Sequence, residues 1–194
     1  MLIYLILLRN QRQLAHAFRF FSPVDFVTAF GVSDHRKKLL QGFFKYRRFL
    51  RSFRVWGNQW ISGSFVEDCM RLRGREPGDI DIVTFLDQAS LPPPGHRLHM
   101  GFRNIVSGEF RKRVKEKYHC DAFFSVAIFN SPLNGPAGSQ AASDDVRYWC
   151  NLFGHSRPIG DSGPKWKGMV WMPLAYTPDE QVAIKLLQKK GGGS

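Results

Sequence analysis

Residues 79–86, Asp-Ile-Asp-Ile-Val-Thr-Phe-Leu, constrain this chain more than any other stretch. They follow Pro77-Gly78, a turn signal, and their β-branched and aromatic side chains predict a strand. Successive side chains on a strand point to opposite faces. Asp79, Asp81 and Val83 therefore share one face, and Ile80, Ile82 and Thr84 the other. Two carboxylates side by side raise one another's pKa and destabilise a fold unless a positive charge lies between them. A divalent ion with hard oxygen ligands, such as Mg²⁺ or Mn²⁺, relieves that repulsion.

The surroundings of this strand predict a mixed fold. "SDHRKKLLQGFFKYRRFLRSF" places Leu39, Phe43, Tyr46, Leu50 and Phe53 at alternating spacings of four and three, one apolar helical stripe with the basic residues on the remaining face. Ser33 or Asp34 can cap it. "QWIS" reads as a short strand running into Gly63-Ser64, and residues 66–78 as a polar loop or hairpin. Phe102, Val106, Phe110, Val114 and Tyr118 predict a second basic amphipathic helix, followed by a strand over 119–129 that carries Asp121 near its start. Residues 130–143 read as a loop, 144–154 as a helix closed by Gly154, and "MVWMPLAY" as a strand. In the final helix, Thr177, Pro178 and Glu180 match a capping box. The expectation is one α+β domain over residues 24–190. An extension covers residues 1–23, and "GGGS" at 191–194 reads as a linker.

The 194 residues carry a net charge of +12, and two segments hold most of it. Residues 34–54 have eight Lys/Arg against Asp34, and residues 101–119 have six against Glu109 and Glu116. Both are solvated helix faces or landing strips for nucleic acid. Three widely spaced cysteines fit neither a disulfide framework nor a zinc site and point to the cytoplasm. The opening "MLIYLILL" is far short of a membrane span and reads as a leading strand, so no membrane partner is expected. His96, His99, His119 and His155 show no zinc spacing, and "GDSGP" at 160–164 lacks the context of a serine nucleophile.

Asp121, on a later strand, supplies a third carboxylate beside Asp79 and Asp81. Three carboxylates can hold two ions, one on a triphosphate and one near an attacking hydroxyl. At a Gly63-Ser64 turn the glycine lets the backbone approach phosphates and the serine adds a hydroxyl donor. Gly63-Ser64, then Asp79-Ile80-Asp81-Ile82-Val83, then Asp121 resembles the nucleotidyltransferase fold of the polymerase-beta superfamily. The resemblance implies a small mixed sheet flanked by helices. It also implies metal-dependent transfer of a nucleoside monophosphate from a nucleoside triphosphate, with Asp79, Asp81 and Asp121 as catalytic, metal-binding residues and Gly63 and Ser64 at the nucleotide.

A longer similarity covers roughly residues 24–175: "FVTAFGVSDHRKKLLQGFFKYRRFL", "WISGSFVED", "REPGDIDIV", "VRYWCNLFG" and "KGMVWM" resemble a bacterial nucleotidyltransferase-like family of undefined function. Fifteen positions separate Ser64 from Asp79, wider than the superfamily motif, with "CMRLRGR" as the inserted segment. Its Arg71, Arg73 and Arg75 can steer triphosphate or RNA. The basic balance favours RNA or tRNA as acceptor, and a protein acceptor stays open. Two alternatives stand beside the enzyme. One is a silent fold that binds RNA or nucleotide, and the other is an interaction component of a bacterial defence or toxin–antitoxin system.

Overall fold

A computed structural model describes residues 18–125, 136–158 and 163–188 of the chain. Its strands are β1 (Phe18–Phe20), β2 (Gly57–Ser62), β3 (Ile80–Leu86), β4 (Cys120–Ser125) and β5 (Met169–Pro173). They form one sheet in the order β1-β5-β2-β3-β4. β3 runs parallel to β4 and β1 parallel to β5, while β2 is antiparallel to both β3 and β5. The helices are α1 (Pro23–Phe30), α2 (Asp34–Arg51), α3 (Cys69–Arg73), α4 (His99–Val106), α5 (Gly108–Tyr118), α6 (Pro136–Gly154) and α7 (Pro178–Gln188). The fold is α+β, as the alternation of patterns implies.

The period-two pattern of β3 serves two cores. Ile80 and Ile82 enter the larger one, built with α1, α2, α5 and α7. Val83 and Phe85 enter a smaller one with Met169, Trp149 and Phe153 on the other side of the sheet. Asp79 and Asp81 belong by alternation to the face that α6 covers, at the end of the strand beyond its aromatic residues. Buried Thr84 accepts a hydrogen bond from Gln59 Nε2 at 3.1 Å.

In α2, Ser33 is the cap and accepts from Arg36 N–H, and Leu39, Phe43, Tyr46 and Leu50 are buried as their spacing predicts. The basic residues do not all lie on the remaining face. Arg47 is 1% exposed, its Nε 3.1 Å from Glu180 Oε2 and its guanidinium donating to Gln59 Oε1 and to the Pro173 carbonyl. Burial lowers its pKa to about 10 against the opposing pull of Glu180. Arg51 also pairs with Glu180. Arg36, likewise buried, donates to the carbonyls of Phe65 and Glu67. Helical periodicity locates the apolar stripe but not the acceptors that other elements bring to it.

Other expectations are corrected. Residues 66–78 are not a plain loop. Asp68 caps the one-turn helix α3 by accepting from Arg71 N–H, and left-handed Gly74 ends it. The second basic helix is two helices, because Ser107 is extended and donates its hydroxyl to Asn104 O. Helix α6 begins at Pro136, inside the segment read as a loop, since proline suits a first helical turn. The capping box of α7 does not form: Thr177 Oγ1 has no partner, and Glu180 is drawn away by Arg47 and Arg51. The leading strand, residues 126–129 of the fourth strand and the linker lie outside the described residues. No helix among the described residues is long and apolar enough to cross a membrane.

A carboxylate cleft at the end of the sheet

Strand register gathers the candidate residues. Asp81 lies opposite Asp121 in the parallel β3–β4 pair and opposite Ser62 in the antiparallel β2–β3 pair. Neighbouring strands are about 4.8 Å apart, so the two carboxylates start from adjacent positions in one row. Asp79 lies two residues before Asp81, where β3 begins. The chain leaves β2 at Ser62 directly into the turn Gly63–Val66. Gly63, Ser64, Glu67, Arg73, Arg75, Gly78, Asp79, Asp81, Lys115, Asp121 and Arg157 line one cleft of about 220 Å³. Gly63, Ser64, Asp79, Asp81 and Asp121 are therefore in one place, joined by Arg73 and Arg75 but not Arg71 of the inserted segment.

Packing sets the turn. Phe65 is fully buried, with its ring centroid 5.9 Å from Phe26 and 5.8 Å from Phe30, and the Arg36 guanidinium 5.1 Å from its centre. Burial of such a ring contributes about 2–3 kcal/mol, enough to anchor a four-residue turn. Gly63 adopts φ +75°, and an added Cβ would lie 1.6 Å from Asp81 Oδ2. Glycine is needed here because the carboxylate rests against the turn's backbone. Ser62 Oγ donates to the Phe153 carbonyl at 2.8 Å, tying the end of α6 to the same turn. His35 Nε2 lies 2.7 Å from the Pro77 carbonyl and fixes the chain before Asp79.

The three carboxylates have unequal surroundings. Burial, then the charges of Asp79 and Asp121, push the Asp81 pKa up to about 6, with Lys167 and Arg157 opposing. No ion pair or side-chain hydrogen bond reaches the Asp81 carboxylate among the described residues. Asp121 is the opposite case. Burial would raise it, but Arg111 and Lys115 outweigh that and hold it below the ordinary carboxylate value. Arg111 grips Asp121 with both arms, Nε to Oδ1 at 2.5 Å and a terminal nitrogen to Oδ2 at 2.8 Å. Lys115 Nζ lies 2.5 Å from Asp79 Oδ2 and 3.5 Å from Asp121 Oδ2.

Hard oxygens on adjacent strands, one of them uncompensated, suit a divalent ion chemically. As they stand, no three His, Cys, Asp or Glu side chains among the described residues are gathered to hold one. The carboxylates of Asp79 and Asp121 are turned to Lys115 and Arg111 instead.

Sequence reasoning missed the residues that support the turn. Lys167, 4% exposed, donates to the Gly63 carbonyl at 3.0 Å and to Glu67 Oε1 at 2.9 Å. Burial lowers its pKa, with Glu67 opposing. Arg73, in the inserted segment, reaches Glu67 Oε2 at 3.3 Å and the Arg157 carbonyl at 3.3 Å. In a trans peptide the carbonyl and the following N–H point opposite ways. Lys167 on Gly63 O therefore turns the Ser64 N–H to the other side of that peptide. No local pattern marks Lys167, since its partners are 100 or more positions away. Lys115 and Arg111 were legible only as members of a basic helix face.

The basic helices also meet. A Cβ on Gly42 would lie 2.1 Å from the Tyr118 carbonyl oxygen, so α2 and the end of α5 touch backbone to backbone. Exposed Lys38 and Lys45 of α2 both lie near enough to His119, with His35, to lower its pKa, though burial is the larger cause.

Comparison with curated proteins and with solved structures finds no match. The model of a family of unknown function, DUF6932, matches residues 10–173, and the chain belongs to that family.

Proposed function

We propose that this protein is a metal-dependent nucleotidyltransferase that moves a nucleoside monophosphate from a nucleoside triphosphate to a hydroxyl, with RNA as the favoured acceptor. The observation that carries the reading is the convergence of Asp79, Asp81 and Asp121 with the Gly63-Ser64 turn in one cleft. Asp79, Asp81 and Asp121 would hold Mg²⁺ or Mn²⁺. The bound ion would offset charge on the phosphate oxygens and leaving group.

The chain's own groups do the rest. Gly63 and Ser64 receive phosphate, Ser64 through its hydroxyl and backbone N–H. Arg75 and Arg157, exposed at the rim, draw the triphosphate in. Asp121 would accept the proton of the acceptor hydroxyl once Arg111 and Lys115 release its oxygens. The acceptor oxygen then bonds to the α-phosphorus as the bond to pyrophosphate breaks. Lys38, Lys45 and Lys117 form the basic approach along α2 and α5, suited to an RNA backbone.

One observation favours a second reading, a nucleotidyltransferase-like module that binds RNA or nucleotide without turnover: Lys115 and Arg111 already neutralise Asp79 and Asp121. A label-transfer assay separates the two. Purified protein is incubated with each α-labelled nucleoside triphosphate, Mg²⁺ or Mn²⁺, cellular RNA and lysate, beside Asp79→Asn/Asp81→Asn. Label on RNA or a protein band, lost in the variant, supports the transferase. Absence of transfer with retained RNA binding supports the module.

A further inference from the structure

Lys115 and Arg111 lie one helical turn apart on α5, so both side chains project from one face toward the carboxylates. Lys115 Nζ is in contact with oxygens of two different aspartates, so one cationic group already bridges the pair. Arg111 holds both oxygens of Asp121, and its guanidinium carbon lies 3.8 Å from the centre of the Phe123 ring. Both cationic side chains are about half exposed, 52% and 44%, so water already reaches them where they stand. The carboxylates they hold are far less exposed, 18% for Asp79 and 13% for Asp121. The arrangement is thus a pair of half-exposed cations on mostly covered anions.

We propose that Lys115 and Arg111 are a tethered counter-cation that fills the place of a divalent ion between Asp79 and Asp121 and must swing out before an ion binds. The inference rests on reading the three aspartates as an ion site. Helix α5 then keeps like charges apart while the site is empty and sets the affinity for the ion by competition. Once displaced, Lys115 remains at the cleft wall, where its charge is free to meet phosphate. An ion arriving with a triphosphate therefore displaces the tether more readily than an ion alone, because the phosphate supplies the lysine with a new partner.

The test measures Mn²⁺ binding by the loss of the free-ion electron paramagnetic resonance signal. The proteins are the unaltered chain, Lys115→Met, Lys115→Arg, Arg111→Met and Asp81→Asn. Circular dichroism confirms folding, which these half-exposed positions on α5 should not disturb. Removing a competing charged hydrogen bond is expected to tighten Mn²⁺ binding about tenfold or more in Lys115→Met and in Arg111→Met. Lys115→Arg keeps the charge and the weaker binding, and Asp81→Asn loses the ion. As a second readout, the melting temperature of Lys115→Met falls without ion and recovers on Mn²⁺ addition. Equal Mn²⁺ affinity in the unaltered chain and Lys115→Met, with loss in Asp81→Asn, overturns the tether and leaves the transferase reading in place. Absence of Mn²⁺ binding in every protein, with or without a non-hydrolysable triphosphate, overturns both.

Discussion

Gly63→Ala is the sharpest test of the site's construction. Gly63 has φ +75°, where an L side chain costs about 1–2 kcal/mol. The new Cβ would meet Asp81 Oδ2 at 1.6 Å, Cγ at 2.6 Å and Cβ at 3.0 Å. Overlap with a half-buried side chain that must then move costs about 1–3 kcal/mol more. The expected destabilisation is about 2–5 kcal/mol, or roughly 4–20 °C in melting temperature for a domain of this size. Urea denaturation followed by circular dichroism measures it. The two contributions separate in a double-mutant cycle, because Asp81→Ala removes Oδ2 and Cγ and leaves only the 3.0 Å approach. In that background Gly63→Ala should cost only the backbone part, giving a coupling of about 1–3 kcal/mol. A cost below about 1 kcal/mol in the unaltered chain, or the same cost in both backgrounds within about 0.5 kcal/mol, would refute the close approach of Asp81 to the turn.

Three other outcomes follow from the same geometry. Asp81 has a folded pKa of about 6 against an ordinary 3.8, so between those values the folded state holds a proton that the unfolded chain has released. Its contribution to stability therefore falls by about 2 kcal/mol as pH rises from 4 to 6, out of about 3 kcal/mol in all, and levels off above about pH 7. Asp81→Asn should lack this decline and be the more stable protein at pH 7 in chelator-treated buffer, and parallel stability curves from pH 4 to 7 would contradict it. Lys167→Met leaves Glu67 buried with Arg73 as its one charged partner among the described residues, and should cost about 3 kcal/mol or more in chemical denaturation. It should also weaken nucleotide binding by loosening the Gly63 carbonyl. Lys38→Glu/Lys45→Glu should lower RNA affinity, as measured by filter binding. The slope of log affinity against log salt should fall by about 0.7–0.9 for each phosphate the variant no longer neutralises. An unchanged slope would refute the proposed approach of RNA along α2 and α5.

The fold class was legible because its signals are local. The stripe Leu39, Phe43, Tyr46 and Leu50 needs only helical spacing, and the Asp79-to-Val83 alternation needs only a strand. The sequence order of Gly63-Ser64, Asp79, Asp81 and Asp121 likewise marked the candidates, and the structure brings all five to one cleft. The break at Ser107 and the start of α6 at Pro136 were not legible, since local preferences there are weak and a serine or a proline suits a loop as well as a helix boundary.

Local patterns along the chain thus carried the inventory: one strand with paired carboxylates, a glycine turn before it, basic amphipathic helix faces and a mixed fold. What neutralises those carboxylates, and what the basic residues do, depended on contacts made across the fold. Arg47 looked like a surface cation and is a buried ion-pair partner of Glu180, 133 positions away. Lys167 carried no local signal and holds the Gly63 carbonyl. Lys115 and Arg111 looked like one more solvated turn of helix and hold two of the three aspartates. The physical reason is the same in each case. A charge's role is set by the few ångströms around it, and residues distant in the chain supply those ångströms only once the sheet has closed.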